Sequence, residues 1–347
     1  MSAPVTVPTP GAPTAVGAPT LGNLLRSEWL RARSRRSLWW LTGLTLVGVL
    51  AMSALIFRFT GAAGPEDLAA AKVAFMNEQL SYYNECVELL EPGQSAEDSC
   101  WKPTEQDAAD SAQYYLDPAP FTASDFTGML GMAGGLATVV SLLVAASSGG
   151  ADWGARTMGL LLSWEPRRLR VFFARLFVTL LVTLVFTAVA VGLAYLLGRV
   201  IADMHGWDGS AANVALQRPD PGAMGELALR WLPVSLLAAA AGYGVAMLTR
   251  STGWAIGGLI AFGVVLGPIV TGLWAWGSQW LPQVNAIAWL QGGMEWAVNP
   301  RLAYSGNESG GQGWIWLSSG RAIATLVVMV AVLLAVAAVA LRSRDVD

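Results

Sequence analysis

The sequence predicts an all-α polytopic membrane protein. It should have six transmembrane helices, an extracytoplasmic helical loop domain after the first span, and a re-entrant outer hairpin between spans five and six. Three observations predict this. Charged residues make up 13% of the 347, against about 25% in soluble domains. Hydrophobic residues make up 54%, and the mean hydropathy is +0.49. Sixteen tryptophans are present, a residue that collects at membrane–water interfaces. Such a composition excludes a disordered protein, a coiled coil and an ordinary cytosolic enzyme. The net charge of −3 gives no reason to expect a nucleic-acid partner.

Six apolar stretches are long enough to cross ~30 Å of hydrocarbon as helices. They fall at about 38–57, 127–148, 171–197, 231–248, 253–275 and 322–341. The polar segment before the first is too long for a secretory signal, so the first stretch is read as a retained span. Basic residues set the orientation. Arg26, Arg31, Arg33, Arg35 and Arg36 precede span one. Arg156, Arg167, Arg168 and Arg170 lie between spans two and three, Arg250 lies between four and five, and Arg342 and Arg344 follow six. These 12 sit in short segments, whereas 8 others are spread over three long loops on the opposite side. The short basic side is therefore expected to be cytoplasmic, with both termini inside. Only Lys72 and Lys102 are lysines. With abundant Ala and Gly, that bias looks like a high-GC bacterial coding sequence, hence a bacterial cytoplasmic membrane.

The segments outside the spans divide as follows. Residues 1–20, rich in Pro, Ala, Thr and Gly, predict a disordered cytoplasmic tail. In 21–37, Leu21, Leu25, Trp29 and Ala32 recur at helical spacing among arginines. This reads as an amphipathic interfacial helix or simply a positive-inside anchor. The loop 58–126 holds 13 of the 24 acidic residues and is placed outside. Its Met76, Leu80, Tyr83, Val87 and Leu90 make an apolar helical stripe, ended by Pro92-Gly93. Cys86 and Cys100, the chain's two cysteines, both lie in this loop. In an oxidising compartment they can pair, the alternative being two free thiols. Residues 149–170 form a cytoplasmic loop, 198–230 an outer loop and 342–347 a cytoplasmic tail. The outer loop 276–321 carries Trp280, Trp289, Trp296, Trp314 and Trp316, and its short apolar run at 284–290 fits a helix dipping into the interface or a re-entrant hairpin.

The missing chemistry is informative. A P-loop needs Gly-Lys-Ser/Thr, and neither lysine follows a glycine. His205 is the lone histidine, so neither a histidine metal cluster nor a zinc-protease motif is expected. Asp107-x-x-Asp110 reads as a solvated helix face, and Asn307-x-Ser309 is a weak glycosylation pattern. No catalytic residue is nominated, and the chain is not read as an enzyme. Five spans contain no charged side chain. Span three contains only Arg175, about a turn from its basic end, where it is expected to snorkel to the headgroups. With no intramembrane carboxylate at mid-depth, a solute carrier of this design takes its energy from another subunit.

Small residues mark packing faces: Gly131-x-x-x-Gly135 in span two, and Gly253-x-x-x-Gly257 and Gly263-x-x-x-Gly267 in span five. Packing within one subunit and dimerisation both fit. Pro268 should kink span five.

Over about residues 21–345 the arrangement resembles the ABC-2 type permeases, the membrane subunits of ATP-driven exporters. Three places carry the resemblance: Leu24-Leu25-Arg26-Ser27-Glu28-Trp29-Leu30-Arg31-Ala32-Arg33-Ser34; Asp152-Trp153-Gly154-Ala155-Arg156-Thr157-Met158, running on through Leu161-Leu162-Ser163 to Arg167-Arg168; and Asn285-Ala286-Ile287-Ala288-Trp289-Leu290-Gln291-Gly292-Gly293. The resemblance implies a coupling helix at 152–163 docked on an ATPase. Asp152 stands where Glu is usual, Trp153 at the aromatic position, Thr157 at the Thr, and Arg156 where Gly is usual. It also implies that spans two and five, which hold the glycine motifs and Pro268, face the transport path at a two-fold axis.

The resulting expectation is the permease subunit of an exporter. It would work beside a second permease copy or paralogue and two ATPase subunits, which bind the ATP and magnesium. The cargo would be apolar or amphipathic: a drug, lipid or peptide. The alternative is a membrane-anchored sensor or accessory protein signalling through its outer domain to a cytoplasmic partner. An intramembrane enzyme fits worst.

Overall fold

The structure is a computed structural model and describes residues 20–91, 94–155, 157–159, 167–207, 218–299 and 313–343. The tail before Thr20, Pro92-Gly93, Arg156, Leu161-Leu162-Ser163, Asn307-x-Ser309 and Arg344 lie outside the described residues.

The chain is a membrane-embedded, mostly helical multi-pass protein. Helix α1 (Leu21–Ser34) is capped by the Thr20 hydroxyl, which accepts from the Asn23 N–H. It stops because Arg35 is extended, and the Trp39 indole then donates to the freed Arg33 carbonyl. Among the described residues, five helices are long and apolar enough to cross a membrane: α2 (Arg36–Phe59), then, past the outer segment, α6 (Ala123–Gly154), α7 (Arg168–His205), α8 (Pro221–Thr249) and α13 (Ser319–Ser343). With 32 and 38 residues, α6 and α7 run ~48 and ~57 Å. Each therefore projects beyond an apolar slab of ~30 Å.

The expected span at 253–275 is not one long α-helix. It is divided into α9 (Thr252–Ala261), a π-turn (Phe262–Leu266) and α10 (Gly267–Leu273). The physical reason is Pro268. It has no N–H to donate and its ring crowds the preceding turn. The ladder widens there, and the Gly267 N–H reaches back five residues to the Phe262 carbonyl.

Helices α6, α7 and α8 form the centre, with 44–50% of their most apolar windows buried. Helices α2 and α13, at 17% and 22%, lie outside them. The tightest approach is α6 against α8. A side chain at Gly134 would overlap the Trp231 indole, and one at Gly242 would lie 2.7 Å from the Leu142 carbonyl.

The outer segment comprises α3 (Pro65–Glu88), α4 (Ala96–Ser99), α5 (Glu105–Ser111) and a 3-10 turn (Ala112–Tyr115). Leu68, Ala71 and Phe75 are the buried face of α3, one step N-terminal to the predicted stripe. Met76, Leu80, Tyr83 and Leu90 are half-buried, and Val87 is exposed. Helix α5 begins with a capping box, in which Thr104 donates through its N–H and hydroxyl to Asp107. Those bonds hold the Asp107 carboxyl below its ordinary pKa, the hydroxyl more than the backbone. Cys86 and Cys100 form a disulfide. Trp207, just past α7, joins Ala63, Leu68, Ala71, Ala112 and Leu116 in a small core. The Phe121 N–H donates to the His205 carbonyl. This segment is thus stitched onto the ends of α2, α6 and α7.

The region after α10 departs from an all-α plan. Helices α11 (Ala275–Ser278) and α12 (Pro282–Leu290) lead into β1 (Gly293–Ala297). Strand β1 pairs antiparallel with β2 (Trp314–Ser318), in the register Gly293↔Ser318, Glu295↔Trp316 and Ala297↔Trp314. Aromatic and β-branched residues favour a strand over Trp314–Ser318. Leu317 is buried beneath the ladder while Trp316 faces out.

Replacing Cys86 and Cys100 by serine should cost the outer segment about 3 kcal/mol, the entropy of closing a loop of this length. Limited proteolysis should then cleave between α3 and α5 at protease levels that leave the parent intact.

Candidate functional site

All the arginines on the expected cytoplasmic side that the structure describes lie at one end of the bundle, opposite the acidic outer segment. At this basic end the first turns of α7, the last turn of α6 and the face of α1 converge on Arg175. This side chain is 3% exposed, so it does not snorkel as expected. Its Nε and Nη2 donate to the two Glu28 oxygens at 3.2 and 3.3 Å. The same Nη2 lies 2.6 Å from Asp152 Oδ2. Arg31, at the rim, reaches Asp152 Oδ2 at 3.2 Å and Glu28 Oε1 at 3.5 Å. A cation this deep is tolerable only with carboxylates beside it, and a planar guanidinium can serve two at once. Nη1 of Arg175 is buried without a partner among the described residues.

This cluster explains the attitude of α1. Its buried side chains are Leu24 and Glu28, whereas Leu21 and Trp29 remain exposed. The expected apolar stripe is therefore split, with Leu25 and Ala32 half-buried, and the face turned inward carries a charge. The signal available in the sequence was Arg175 itself. A lone intramembrane cation calls for a carboxylate at its own depth, and Glu28 is the lone acid of the segment preceding span one.

Beside the cluster, Arg35 is half-buried, and its Nη1 donates to Ser147 Oγ at 3.5 Å. Burial, and then the neighbouring Arg175 charge, pull its pKa below the ordinary arginine value.

The structure divides the residues assigned to ATPase coupling. The Asp152 carboxylate points inward onto Arg175 and Arg31. Trp153 packs against the α7–α8 core, its ring 4.6 Å from the Arg250 guanidinium carbon. Met158 is buried in that same core. Thr157 is exposed; its N–H donates to the Asp152 carbonyl at 2.9 Å and its hydroxyl to the Asp152 carboxylate at 3.4 Å. Arg156 lies outside the described residues. The turn after α6 is thus pinned to the ionic cluster through one residue, Asp152.

The glycines behave differently from one another. Side chains at Gly131, Gly135, Gly257 and Gly263 would meet nothing within 4 Å, and one at Gly253 would touch only the cap residue Ser251. Gly267 alone of the set is crowded, by Gln283. The glycines that let helices meet inside the chain are others, among them Gly134, Gly149 and Gly242. At the opposite end, a half-open cavity of about 580 Å³ is walled by Thr127, Gly131, Arg230, Trp231 and Leu290. Among the described residues, no group of three or more His, Cys, Asp or Glu side chains is placed to hold a metal ion. The arrangement joins three helices and an exposed turn through shared charges.

Gly134→Ala should lower the stability of the purified chain by ~1–3 kcal/mol through overpacking against Trp231, and Gly135→Ala should leave it unchanged. Thermal unfolding of both variants in one detergent checks the contrast.

A scan of protein-family models finds no match to this chain, and a search of curated proteins finds none.

Proposed function

We propose that this chain is the permease subunit of an exporter of the ABC-2 type, working beside a second permease and driven by separate ATPase subunits. The observation that carries the reading is the pinned turn after α6, whose sequence resembles the coupling segment of those permeases. It stands at the basic end with Thr157 exposed, and Asp152 ties it to Arg175, Arg31 and, through them, Glu28. A push on this turn is therefore delivered to α1, α6 and α7 together. Conformational change driven by a partner needs such a contact that differs between states.

Two further features support it. The chain has no glycine-lysine phosphate loop, so ATP and magnesium belong to the partner. The open faces of Gly135, Gly253, Gly257 and Gly263 suit close approach by a second permease copy or paralogue. The cargo is an apolar or amphipathic solute, in keeping with spans that carry no charge at mid-depth. The disulfide-closed outer segment, joined to three helix ends, is what favours the second reading, a sensor that reports on its outer part.

The chain, purified from its native membrane in mild detergent, should bring a soluble ATPase in equal amount. In the reconstituted complex, Thr157→Ala and Trp153→Ala should lower cargo-stimulated ATP hydrolysis several-fold while the permease still assembles. A kinase in place of the ATPase would replace this reading with the sensor.

A further inference from the structure

The elbow between α1 and α2 encloses a half-open cavity of about 270 Å³ against α6 and α7. Its walls have two characters. Leu38, Leu41, Leu143 and Val182 form an apolar side, and Arg31, Arg35 and Arg175 a cationic one. A second, almost wholly apolar hollow of about 380 Å³ adjoins it, shares Leu38 and Val182, and is bounded by Trp29 and Trp39. Together they make an apolar trough with a charged head, within the ligand-pocket range of ~300–1,000 Å³.

The charges at that head do not cancel. Arg31, Arg35 and Arg175 face Glu28 and Asp152, three cations against two anions, so one positive charge is left over. The surplus falls on Arg35. Among the described residues no carboxylate lies within 4.0 Å of it, and it donates instead to the neutral Ser147 hydroxyl. A half-buried guanidinium without an anion, and the buried Nη1 of Arg175 without an acceptor, are both costly. One negatively charged group would relieve the first and weaken the cost of the second by its field. A basic pocket between helices at a membrane surface is the setting in which lipid headgroups bind.

We propose that this pocket binds an anionic membrane lipid, with its phosphate against Arg35 and Arg31 and an acyl chain laid along Leu38, Leu41 and Val182. The site holds α1 to the bundle from the membrane side, as Arg175 holds it from within. It stands whether or not the chain is an exporter subunit, since it rests on the pocket alone.

The full chain, purified in a neutral detergent, is melted with increasing short-chain phosphatidylglycerol, with phosphatidylcholine of the same length, and with inorganic phosphate. Phosphatidylglycerol should raise the melting temperature saturably, and the other two should not. Arg35→Gln should move the midpoint to roughly tenfold more lipid, the loss expected for one charge-assisted contact. Arg35→Lys should keep most of the effect, and Val182→Trp, which fills both hollows, should remove it. Melting without lipid checks that each variant is folded, and mass analysis of the copurified lipid gives a second readout. An equal response to phosphatidylcholine would overturn the proposal, as would Arg35→Gln titrating like the parent. A matching response to phosphate alone would assign the pocket to a free anion and overturn the lipid. Val182→Trp titrating like the parent would move the headgroup to the open surface and overturn the pocket.

Discussion

The basic end of this protein is organised by one buried cation. Arg175 cannot be left alone in an apolar bundle, and its position on α7 brings carboxylates to it from two other elements. Glu28 comes from α1 and Asp152 from the end of α6. Once those bonds form, the rotation of α1 about its own axis is decided, because Glu28 must point in. Leu24 is buried with it, and Leu21 and Trp29 are left exposed. The turn that follows α6 is fixed by the same requirement, since the Asp152 carbonyl and carboxylate also take the Thr157 N–H and hydroxyl. Removing one partner from such a cluster is more damaging than never having had the pair, because it strands a buried charge.

The remainder of the bundle needs no charge. Helices α6, α7 and α8 meet through small residues, with Gly134 admitting Trp231 and Gly149 approaching the Tyr243 carbonyl. In lipid there is little hydrophobic drive between helices, so close van der Waals approach does that work. Among the glycines left uncovered are Gly135 on α6 and Gly257 on α9. The two ends of the molecule differ in chemistry as well. One is cationic and organised by ion pairs. The other is acidic, closed by a disulfide and capped by helix-initiating Thr–Asp boxes at Thr104 and Thr122.

Much of this plan was legible in the residues. The apolar runs marked the five long helices, the arginine-rich segment marked α1, and the two cysteines in one loop marked the pair that forms. What was not legible has a common cause: it depends on partners distant in sequence. The inward face of α1 cannot be read from its periodicity, because its stripe is split: Leu21 and Trp29 are exposed while Leu25 and Ala32 are half-buried. Arg175 close to a helix end reads equally well as a snorkelling side chain until Glu28, 147 positions earlier, is placed beside it. The ladder between β1 and β2 escaped notice because Gly293–Ala297 has little strand character alone and pairs with residues about twenty positions on. The break at Phe262–Leu266 had a visible signal in Pro268, although a bend and a widened turn look the same in sequence.

The most direct test of this account is a double-mutant cycle on Glu28→Gln and Arg175→Met, read as unfolding free energy of the purified chain in mixed micelles. If the buried pair organises the basic end, each single variant should lose ~3 kcal/mol or more. The double variant should then lose no more than the worse single, a coupling well above the ~0.5 kcal/mol at which sites count as independent. Losses that simply add would contradict it, and the position of α1 would then owe nothing to Arg175.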